Sequence, residues 1–173
     1  MNKLYRMMLI LIVVGCCVGV DQAAKAIARR TLASSAPISL LGGLVIFEYA
    51  ENTGAFMSLG AQLPVRVRTV LWIGVVGVMM IVGLVYLART DELDLPQTLV
   101  LACVIGGGIG NLIDRIVNNG AVVDYVSVGI GRLRTGILNI ADLFVTFGVI
   151  ALVWLIARSR PRPSVSTPEP GVS

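Results

Sequence analysis

Two aspartates are the residues of this sequence whose type and position could do chemistry. Asp124 lies in the run Val122–Tyr125, and Asp142 lies at the head of an apolar stretch that continues to Ala157. A carboxylate at the edge of a membrane segment is costly to keep and therefore indicates a functional residue. Two carboxylates on one side of a bilayer could share a proton and activate water. The chain has no histidine, which leaves few other groups for acid–base chemistry near neutral pH.

The composition is that of a membrane protein. The chain has 173 residues, of which 56% are hydrophobic and 14% charged, and its mean hydropathy is +0.87. These values exclude an ordinary soluble domain. The net charge of +4 suits an anionic membrane surface and gives no indication of nucleic acid binding. The three cysteines fall in apolar segments, so no disulfide framework is indicated, and no metal cluster or cofactor motif is visible.

Charge-free runs predict four transmembrane helices. Residues 69–88 and 95–113 form uncharged runs of 20 and 19 residues, each long enough to cross a hydrocarbon core of about 30 Å. The first and last candidates are shorter and cross only if their helices carry Asp21 and Asp142 into the membrane. The proline-rich tail 159–173 is predicted to be disordered. We predict one domain over residues 1–158, with spans at about 7–27, 69–88, 95–114 and 138–157 and outer loops at 28–68 and 115–137.

An even number of spans places both termini on one side and the long loops on the other. At 1.5 Å per residue, Asp21 and Asp142 lie about 21 Å and 22 Å from the terminal side. Asp114 ends the third span at the far side, so the carboxylates converge on one leaflet. Lys and Arg number six on the terminal side and eight on the other, which leaves the orientation open.

The amino-terminal segment allows a second interpretation. Lys3 and Arg6 precede an apolar run that reaches Cys16, a pattern typical of a lipoprotein signal that is removed before a lipid-accepting cysteine. We favour an uncleaved first span, because residues 7–27 are long enough to cross only when whole.

Both outer loops contain strand patterns. Val45, Phe47 and Tyr49 alternate with their neighbours, which predicts a half-buried strand. The valine-rich residues 122–133 predict a strand or a hairpin. We expect a small β-element that caps the ends of the helices.

The polar motifs near the far side each have a purely structural alternative. Asn52 and Gly54 suit an ordinary turn. Asn111 and Arg115 share a helical face above glycines whose role could be helix packing alone. Asp124 could be a surface loop residue.

The polar residues of the first and last spans also have a purely structural alternative. Asp21 and Lys25 are four residues apart and could form an intrahelical ion pair, and Lys25 could also reach lipid headgroups. Asp142 could merely cap the last helix, although Asn139 competes for that role. Together these alternatives are weaker than each is alone, because several costly groups meet on one face.

In their order along the chain, the motifs resemble those of the lipoprotein signal peptidase family, also called signal peptidase II. The resemblance extends over roughly residues 5–158, and five short motifs in the right order make it specific. The motifs are Asp21-Gln22 with Lys25, Asn52-Thr53-Gly54-Ala55, Gly110-Asn111 with Asp114-Arg115, Val123-Asp124-Tyr125, and Asn139 with Ala141-Asp142.

The resemblance implies a membrane α-helical fold of four transmembrane helices with a small periplasmic β-cradle. It also implies a bacterial inner-membrane aspartyl endopeptidase with cytoplasmic termini, which removes signal peptides from prolipoproteins that carry a diacylglyceryl group. No cofactor, metal or nucleic acid is implied, membrane lipid surrounds the protein, and nothing requires more than a monomer. The catalytic pair corresponds to Asp124 and Asp142, and the supporting polar residues correspond to Asp21, Lys25, Asn52, Gly54, Asn111, Arg115 and Asn139.

Three positions depart from the family pattern. Phe56 directly follows Ala55, where a second alanine is usual, and Met57 comes next. Leu138 and Tyr125 stand where phenylalanine is common. These departures could reshape a substrate groove, but they remove no expected catalytic group.

The chemistry expected of the pair follows from its charge. Two carboxylates in a partly dry site tend to share one proton. The ionised group takes a proton from water, and the protonated group donates to the scissile carbonyl oxygen. The asparagines could orient the substrate or the pair, and Arg115 could bind a lipid phosphate or fix a carboxylate. Two other classes of protein are alternatives: a small transporter, for which the sequence shows no convincing internal repeat, and a non-catalytic lipoprotein-binding protein, against which the intact aspartates argue.

Overall fold

Four long helices and one small sheet make up the fold, which confirms the predicted fold class. The computed structural model describes residues 2–54 and 60–159. Each helix is long and apolar enough to cross a membrane. The helices are α1 (Lys3–Leu32), α2 (Val65–Arg89), α3 (Leu95–Val117) and α4 (Ile140–Ser159). The strands are β1 (Ile38–Leu40), β2 (Val45–Asn52), β3 (Val122–Ile130) and β4 (Leu133–Arg134).

The helices extend beyond the predicted spans. α1 continues to Leu32, with Arg29 and Arg30 in its last turn, where positive side chains interact favourably with the carboxyl end of a helix. α3 likewise continues past Asp114 to Val117. Charged residues therefore mark where the apolar run ends but do not end the helix. Phe56, Met57 and the tail beyond Ser159 lie outside the described residues.

α3 packs against each of the other three helices. A Cβ added at Gly106 would lie 2.7 Å from Cys17 Cβ of α1, and one added at Gly107 would lie 2.6 Å from the Ala141 carbonyl oxygen of α4. Real side chains essentially never approach so closely, so these glycines are what allow α1 and α4 to pack against α3. Helix packing is thus their role, and it brings the polar residues of three helices together.

The sheet is antiparallel, with strand order β1-β2-β3-β4. The strand predicted around Val45 is β2, and the predicted hairpin is β3 with β4. β1 was not predicted, because three residues are too few for an alternation of apolar and polar side chains to stand out. One face of the sheet packs against the end of α1, where Ala28 and Leu32 meet Val123 and Tyr125 in a buried cluster.

An irregularity in the pairing of β2 with β3 determines which residues face each other near the helices. The register shifts between Phe47 and Ala50, and pairing then resumes with Ala50 opposite Asp124. A bulge of this kind re-aims the side chains that follow it. Here it brings the end of β2, with Asn52, beside the first residues of β3.

Candidate active site

Asp124 is buried in β3 and accepts hydrogen bonds at both carboxylate oxygens. Asp124 is 2% exposed and lies within a strand, so it is not a surface loop residue. Asn52 Nδ2 donates to Oδ2 at 3.0 Å, and Asn139 Nδ2 donates to Oδ1 at 2.6 Å. The two amides come from the end of β2 and the start of α4. Asp124 is therefore fixed by elements on either side of its own strand.

Asp142 is the third residue of α4, and Asn139 is the residue before the helix. The Asp142 backbone N–H donates to Asn139 Oδ1 at 2.9 Å, and the Asn139 backbone N–H donates to Asp142 Oδ2 at 3.3 Å. This reciprocal pair has the form of a capping box. Asn139 thus occupies the capping position, and α4 begins two residues later than the predicted span. The second oxygen of Asp142, Oδ1, accepts from Asn111 Nδ2 of α3 at 2.9 Å.

Asn139 joins the two aspartates. Its Nδ2 donates to Asp124 and also to Asn111 Oδ1 at 3.2 Å, while its Oδ1 accepts from the backbone of Asp142. Asn139 is 0% exposed. The strand that carries Asp124 is thereby held over the first turn of α4, and both carboxyl groups line the same cavity. The sequence identified each aspartate as a candidate catalytic residue, but it could not show that the two lie at one cavity.

The environment of Asp124 favours its protonated form. Burial is the main cause, and the nearby charge of Asp142 adds to it; hydrogen bonds from Asn52 and Asn139 and the charge of Lys25 act in the opposite direction. The net effect raises the pKa of Asp124 from 3.8 to about 6. A carboxyl group with this pKa can exchange a proton near neutral pH.

Lys25 is the centre of a buried charge cluster behind the aspartates. Its Nζ lies 2.8 Å from Asp21 Oδ2 and 3.2 Å from Asp114 Oδ2, and it donates to Asn111 Oδ1 at 2.8 Å. The predicted intrahelical pair with Asp21 is confirmed. Lys25 is 2% exposed, so the expectation that it reaches lipid headgroups is wrong: its ammonium is held by the carboxylates of two helices. The lysine also orients Asn111, which in turn donates to Asp142.

Asp21 links this cluster to the start of α4. Its Oδ1 accepts the backbone N–H of Ala141 at 3.0 Å, in the first turn of α4, where an N–H has no partner within the helix. Gly110 makes room for the carboxylate, because a Cβ added there would lie 2.5 Å from Asp21 Oδ2. Asp21 therefore positions the helix that carries Asp142.

Arg115 holds the turn that follows β2. Its Nη2 donates to the Gly54 carbonyl oxygen at 2.9 Å, and its Nη1 donates to the Asn111 carbonyl oxygen at 3.2 Å. Asn52 Oδ1 accepts the Gly54 N–H at 2.9 Å, which confirms a turn at this place. These two bonds of Arg115 go to backbone carbonyls. They tie Asn52, and through it Asp124, to α3.

A cavity of about 370 Å³ opens beside the two aspartates. Asn52, Asn111 and Arg115 line it together with the aspartates, and residues of α2, α3, α4 and the start of β3 line the remainder. An extended substrate could place a polar bond against the carboxyl groups and an apolar chain against the helices. The apolar and hydroxyl-bearing lining residues are Trp72, Val76, Met79, Met80, Val104, Val122, Val145, Thr146 and Val149.

The comparisons with known proteins agree with this geometry. The family model described as signal peptidase (SPase) II matches residues 11–158. The chain belongs to the signal peptidase II family. A Caldicellulosiruptor bescii protein described as a lipoprotein signal peptidase is 33% identical over 138 residues, which cover 80% of this chain and 83% of the relative. A Treponema pallidum protein with the same description is 33% identical over 153 residues, which cover 84% and 82%.

Two solved structures, each described as a bacterial membrane enzyme, share the fold. Both have a TM-score of 0.74 at 21% sequence identity. The first covers 95% of this chain and 94% of its own, and the second covers 87% and 94%. Its family and its four membrane-length helices make this signal peptidase II chain a multi-pass membrane protein, and the two solved structures show that its fold is already known.

Two supporting residues of this signal peptidase II chain were absent from the predicted set. Asp114 Oδ2 accepts the Val123 backbone N–H at 2.9 Å, directly before Asp124, and Asp114 Oδ1 accepts from Gln22 Nε2 at 3.0 Å. The cost of a carboxylate at a membrane edge, which singled out Asp142, applies equally to Asp114 and marks it as a candidate. Gln22 occurs in the motif Asp21-Gln22, but its residue type alone does not predict its bond to Asp114.

Tyr125 is a departure from the family pattern that has a structural role. Its hydroxyl oxygen accepts the backbone N–H of Ile140 at 3.3 Å, in the first turn of α4. Burial raises the pKa of Tyr125 to about 12, so the hydroxyl stays protonated at neutral pH. A phenylalanine could not make this bond. Among the residues that the structure describes, no group of three or more His, Cys, Asp or Glu side chains is placed to hold a metal ion.

Proposed function

We propose that this protein is an aspartyl endopeptidase that removes signal peptides from diacylglyceryl-modified prolipoproteins. Membership of the signal peptidase II family and relatives described as lipoprotein signal peptidases support the substrate class. One observation carries the catalytic assignment: the buried Asp124 and the partly buried Asp142 line one cavity, where Asn139 bonds to both.

In the proposed reaction the two carboxyl groups share one proton. The ionised group takes a proton from a water molecule as the water oxygen bonds to the scissile carbonyl carbon. The protonated group donates its proton to the carbonyl oxygen, which yields a tetrahedral diol. Collapse of the diol breaks the C–N bond: the carboxyl group that took the water proton returns it to the leaving amine, and the other carboxylate takes a proton from a hydroxyl of the diol. Asn52, Asn111 and Asn139 keep the carboxyl oxygens oriented throughout.

The supporting residues have distinct proposed tasks. Lys25 and Asp21 hold α1 against the start of α4, and Arg115 holds the turn at Gly54. The acyl chains of the substrate lie against the apolar wall of the cavity, such as Met79 and Val149, while the peptide bond meets the aspartates. The working unit is a monomer of residues 1–158.

We further propose that both termini are cytoplasmic and that the sheet and the active site lie at the periplasmic leaflet of the bacterial inner membrane. Fusion of a phosphatase or a fluorescent protein after the last residue tests this orientation. We expect the fluorescent-protein fusion to fluoresce and the phosphatase fusion to be inactive, because the phosphatase is active only outside the cytoplasm.

Cleavage of a diacylated precursor by the purified protein in lipid tests the function. Asp124→Asn and Asp142→Asn should each abolish cleavage while the protein stays folded, because an amide cannot exchange the proton. Glu92→Gln, in the exposed turn between α2 and α3, is the matched control and should cleave normally. Normal turnover by either aspartate variant would refute the assignment. Binding of the precursor without cleavage by the wild type would instead indicate a binding protein, and ion flux in proteoliposomes would indicate a transporter.

A further inference from the structure

The end of the sheet that lies away from the active site is strongly apolar. We name it the sheet tip and define it as residues 40–44 and 128–134. Leu41, Ile130 and Leu133 are 77%, 78% and 86% exposed, the three highest values among the large apolar side chains of the described residues. They lie in neighbouring turns, and Leu41 and Ile130 line the same shallow depression. A cluster of this kind indicates a contact surface rather than a chance exposure.

Arg134 makes the sheet tip rigid. Its Nη1 donates to the carbonyl oxygens of Gly43 at 2.6 Å and Gly129 at 3.2 Å, and its Nη2 donates to the Ser127 carbonyl oxygen at 3.0 Å. The Gly129 N–H also donates to the Leu44 carbonyl oxygen at 2.9 Å. The two turns are therefore one unit, and their apolar side chains are presented together.

The backbone at Leu41 is strained. Leu41 has φ of +52°, in the left-handed region that leucine rarely adopts, and Gly42 and Gly43 follow at +65° and +92°. A glycine or an asparagine would suit the first of these positions better. A bulky apolar side chain held outward by an unfavourable backbone indicates a task for that side chain.

An apolar surface connects the sheet tip with a membrane-crossing helix. Ile38 and Leu40 are two residues apart in the edge strand β1 and are each 47% exposed, so they extend the apolar surface from Leu41 along one face. Ile38 also borders a groove shared with Ile27 of α1, which is 63% exposed on the outside of the helix bundle. The exposed apolar surface of α1 thus continues onto the sheet.

The charge of the sheet tip is positive. Residues 38–46 and 127–135 contain Arg132 and Arg134 but no aspartate or glutamate. Arg132 is exposed and lies between Ile130 and Leu133. Apolar side chains interleaved with arginine are the pattern that binds at the boundary between lipid headgroups and acyl chains.

We propose that the sheet tip inserts into the leaflet on its own side of the membrane, as a second anchor beside the helices. Leu41, Ile130 and Leu133 enter the acyl boundary, and Arg132 contacts lipid phosphate above them. β2 and β3 run from this anchor to Asn52 and Asp124. Anchoring one end of these strands restricts tilting of the sheet at the other end. The proposal rests on the exposure, charge and backbone geometry of the sheet tip and does not depend on the peptidase function.

Spin-label depth measurements on the full chain in single-copy nanodiscs test the insertion. A cysteine replaces Leu133 in a background in which Cys16, Cys17 and Cys103 are alanine, and collision rates with oxygen and with a water-soluble nickel chelate give the depth. We expect the label to lie about 5–10 Å below the lipid phosphates. Phe147→Cys, 64% exposed on α4, is the control within the bilayer, and Glu92→Cys is the control in water.

A depth at Leu133 equal to that at Glu92 would overturn the proposal. Because a nanodisc holds one copy, protection from nickel that appears only at two copies per disc would indicate a dimer contact and would also overturn it. If the cysteine-free background does not fold, a photoreactive amino acid at Leu133 in the natural chain gives the same decision. Crosslinks to lipid are expected, and crosslinks to protein or none would refute the insertion.

The charge of the lipid separates the apolar from the ionic part of the anchor. Arg132→Glu should move the label at Leu133 outward in discs that contain phosphatidylglycerol and should have a smaller effect in pure phosphatidylcholine. The same depth for both variants in phosphatidylglycerol would refute the contact between Arg132 and phosphate.

Discussion

Replacement of Gly110 by alanine should damage both the stability and the activity of this protein. The added Cβ would lie 2.5 Å from Asp21 Oδ2 and 3.1 Å from Asp21 Cγ. Asp21 is 0% exposed and cannot simply turn away, because its other oxygen accepts the Ala141 N–H and Lys25 holds the crowded one. The methyl group therefore pushes on a carboxylate that is fixed on both sides.

The magnitude follows from three contributions. Overfilling a packed site destabilises by about 1–3 kcal/mol. If Asp21 moves, loss of its charged hydrogen bond to Ala141 adds roughly 1.5–3 kcal/mol. The better helix propensity of alanine offsets about 0.5–1 kcal/mol. We expect a loss of about 2–5 kcal/mol in the free energy of unfolding. A displacement of about 1 Å at Asp142 would lower the rate of cleavage by up to about 100-fold.

Steric trapping or SDS titration measures the stability, and cleavage of a diacylated precursor measures the activity. Gly15→Ala is the matched control, because Gly15 also lies in a membrane helix and no atom lies within 4 Å of an added Cβ. It should be neutral or slightly stabilising.

A double-mutant cycle with Asp21→Ala isolates the cause. Once the Asp21 carboxylate is absent, the added methyl group no longer clashes with it, and Gly110→Ala should lower the free energy of unfolding only slightly. The reasoning is wrong if Gly110→Ala is as stable and active as Gly15→Ala, or if it costs as much without Asp21 as with it.

Three further predictions concern the buried charges. The pKa of Asp124 is raised from 3.8 to about 6 in the folded protein. The stabilisation that the Asp124 carboxyl group contributes is therefore fully present below pH 3.8 and is lost as the pH rises through 6. The difference in unfolding free energy between wild type and Asp124→Asn should therefore fall by about 3 kcal/mol from acid to neutral pH, whereas a pH-independent difference would contradict the raised pKa. Lys25→Met leaves Asp21 and Asp114 buried without their cation and should lower the free energy of unfolding by about 3–5 kcal/mol, while Lys3→Met at the exposed start of α1 should not change it. Asp114→Asn weakens the bond to the backbone N–H that precedes Asp124, so kcat in the cleavage assay should fall more than the affinity for precursor, and an unchanged kcat would count against this role.

Much of the fold could be predicted from where charge is absent and where apolar residues alternate. The uncharged run 69–88 lies within α2, and the alternation at Val45, Phe47 and Tyr49 lies within β2. The ends of the helices could not be predicted in the same way. α1 continues through Arg29 and Arg30, because a helix that leaves the membrane keeps its hydrogen bonds in water and gains from positive charge in its last turn.

The assembly of the site was harder to predict than its members. The spacing of Asp21 and Lys25 predicts their pairing, since both lie on one turn of one helix. The approach of Asp114 to Lys25 depends on how closely α1 and α3 pack, and Gly106 and Gly110 determine that distance. No local pattern in the sequence encodes it. The bulge in β2 that brings Asn52 to Asp124 is likewise a property of strand pairing, visible only once two distant segments are side by side.

Asn139 shows why the structural and the chemical interpretations of this sequence were never true alternatives. A cap for α4 was the ordinary explanation for Asn139 or Asp142, and a catalytic site was the other. The side chain of Asn139 is consistent with both: its oxygen caps the helix at Asp142, and its nitrogen bonds to Asp124, the other aspartate of the proposed pair. Asp142 likewise uses Oδ2 to complete the cap and leaves Oδ1 to Asn111. Because the bonds that begin the helix also orient the carboxyl groups, formation of α4 itself sets the geometry of the pair, and a buried polar network that would otherwise be costly is satisfied as part of the fold.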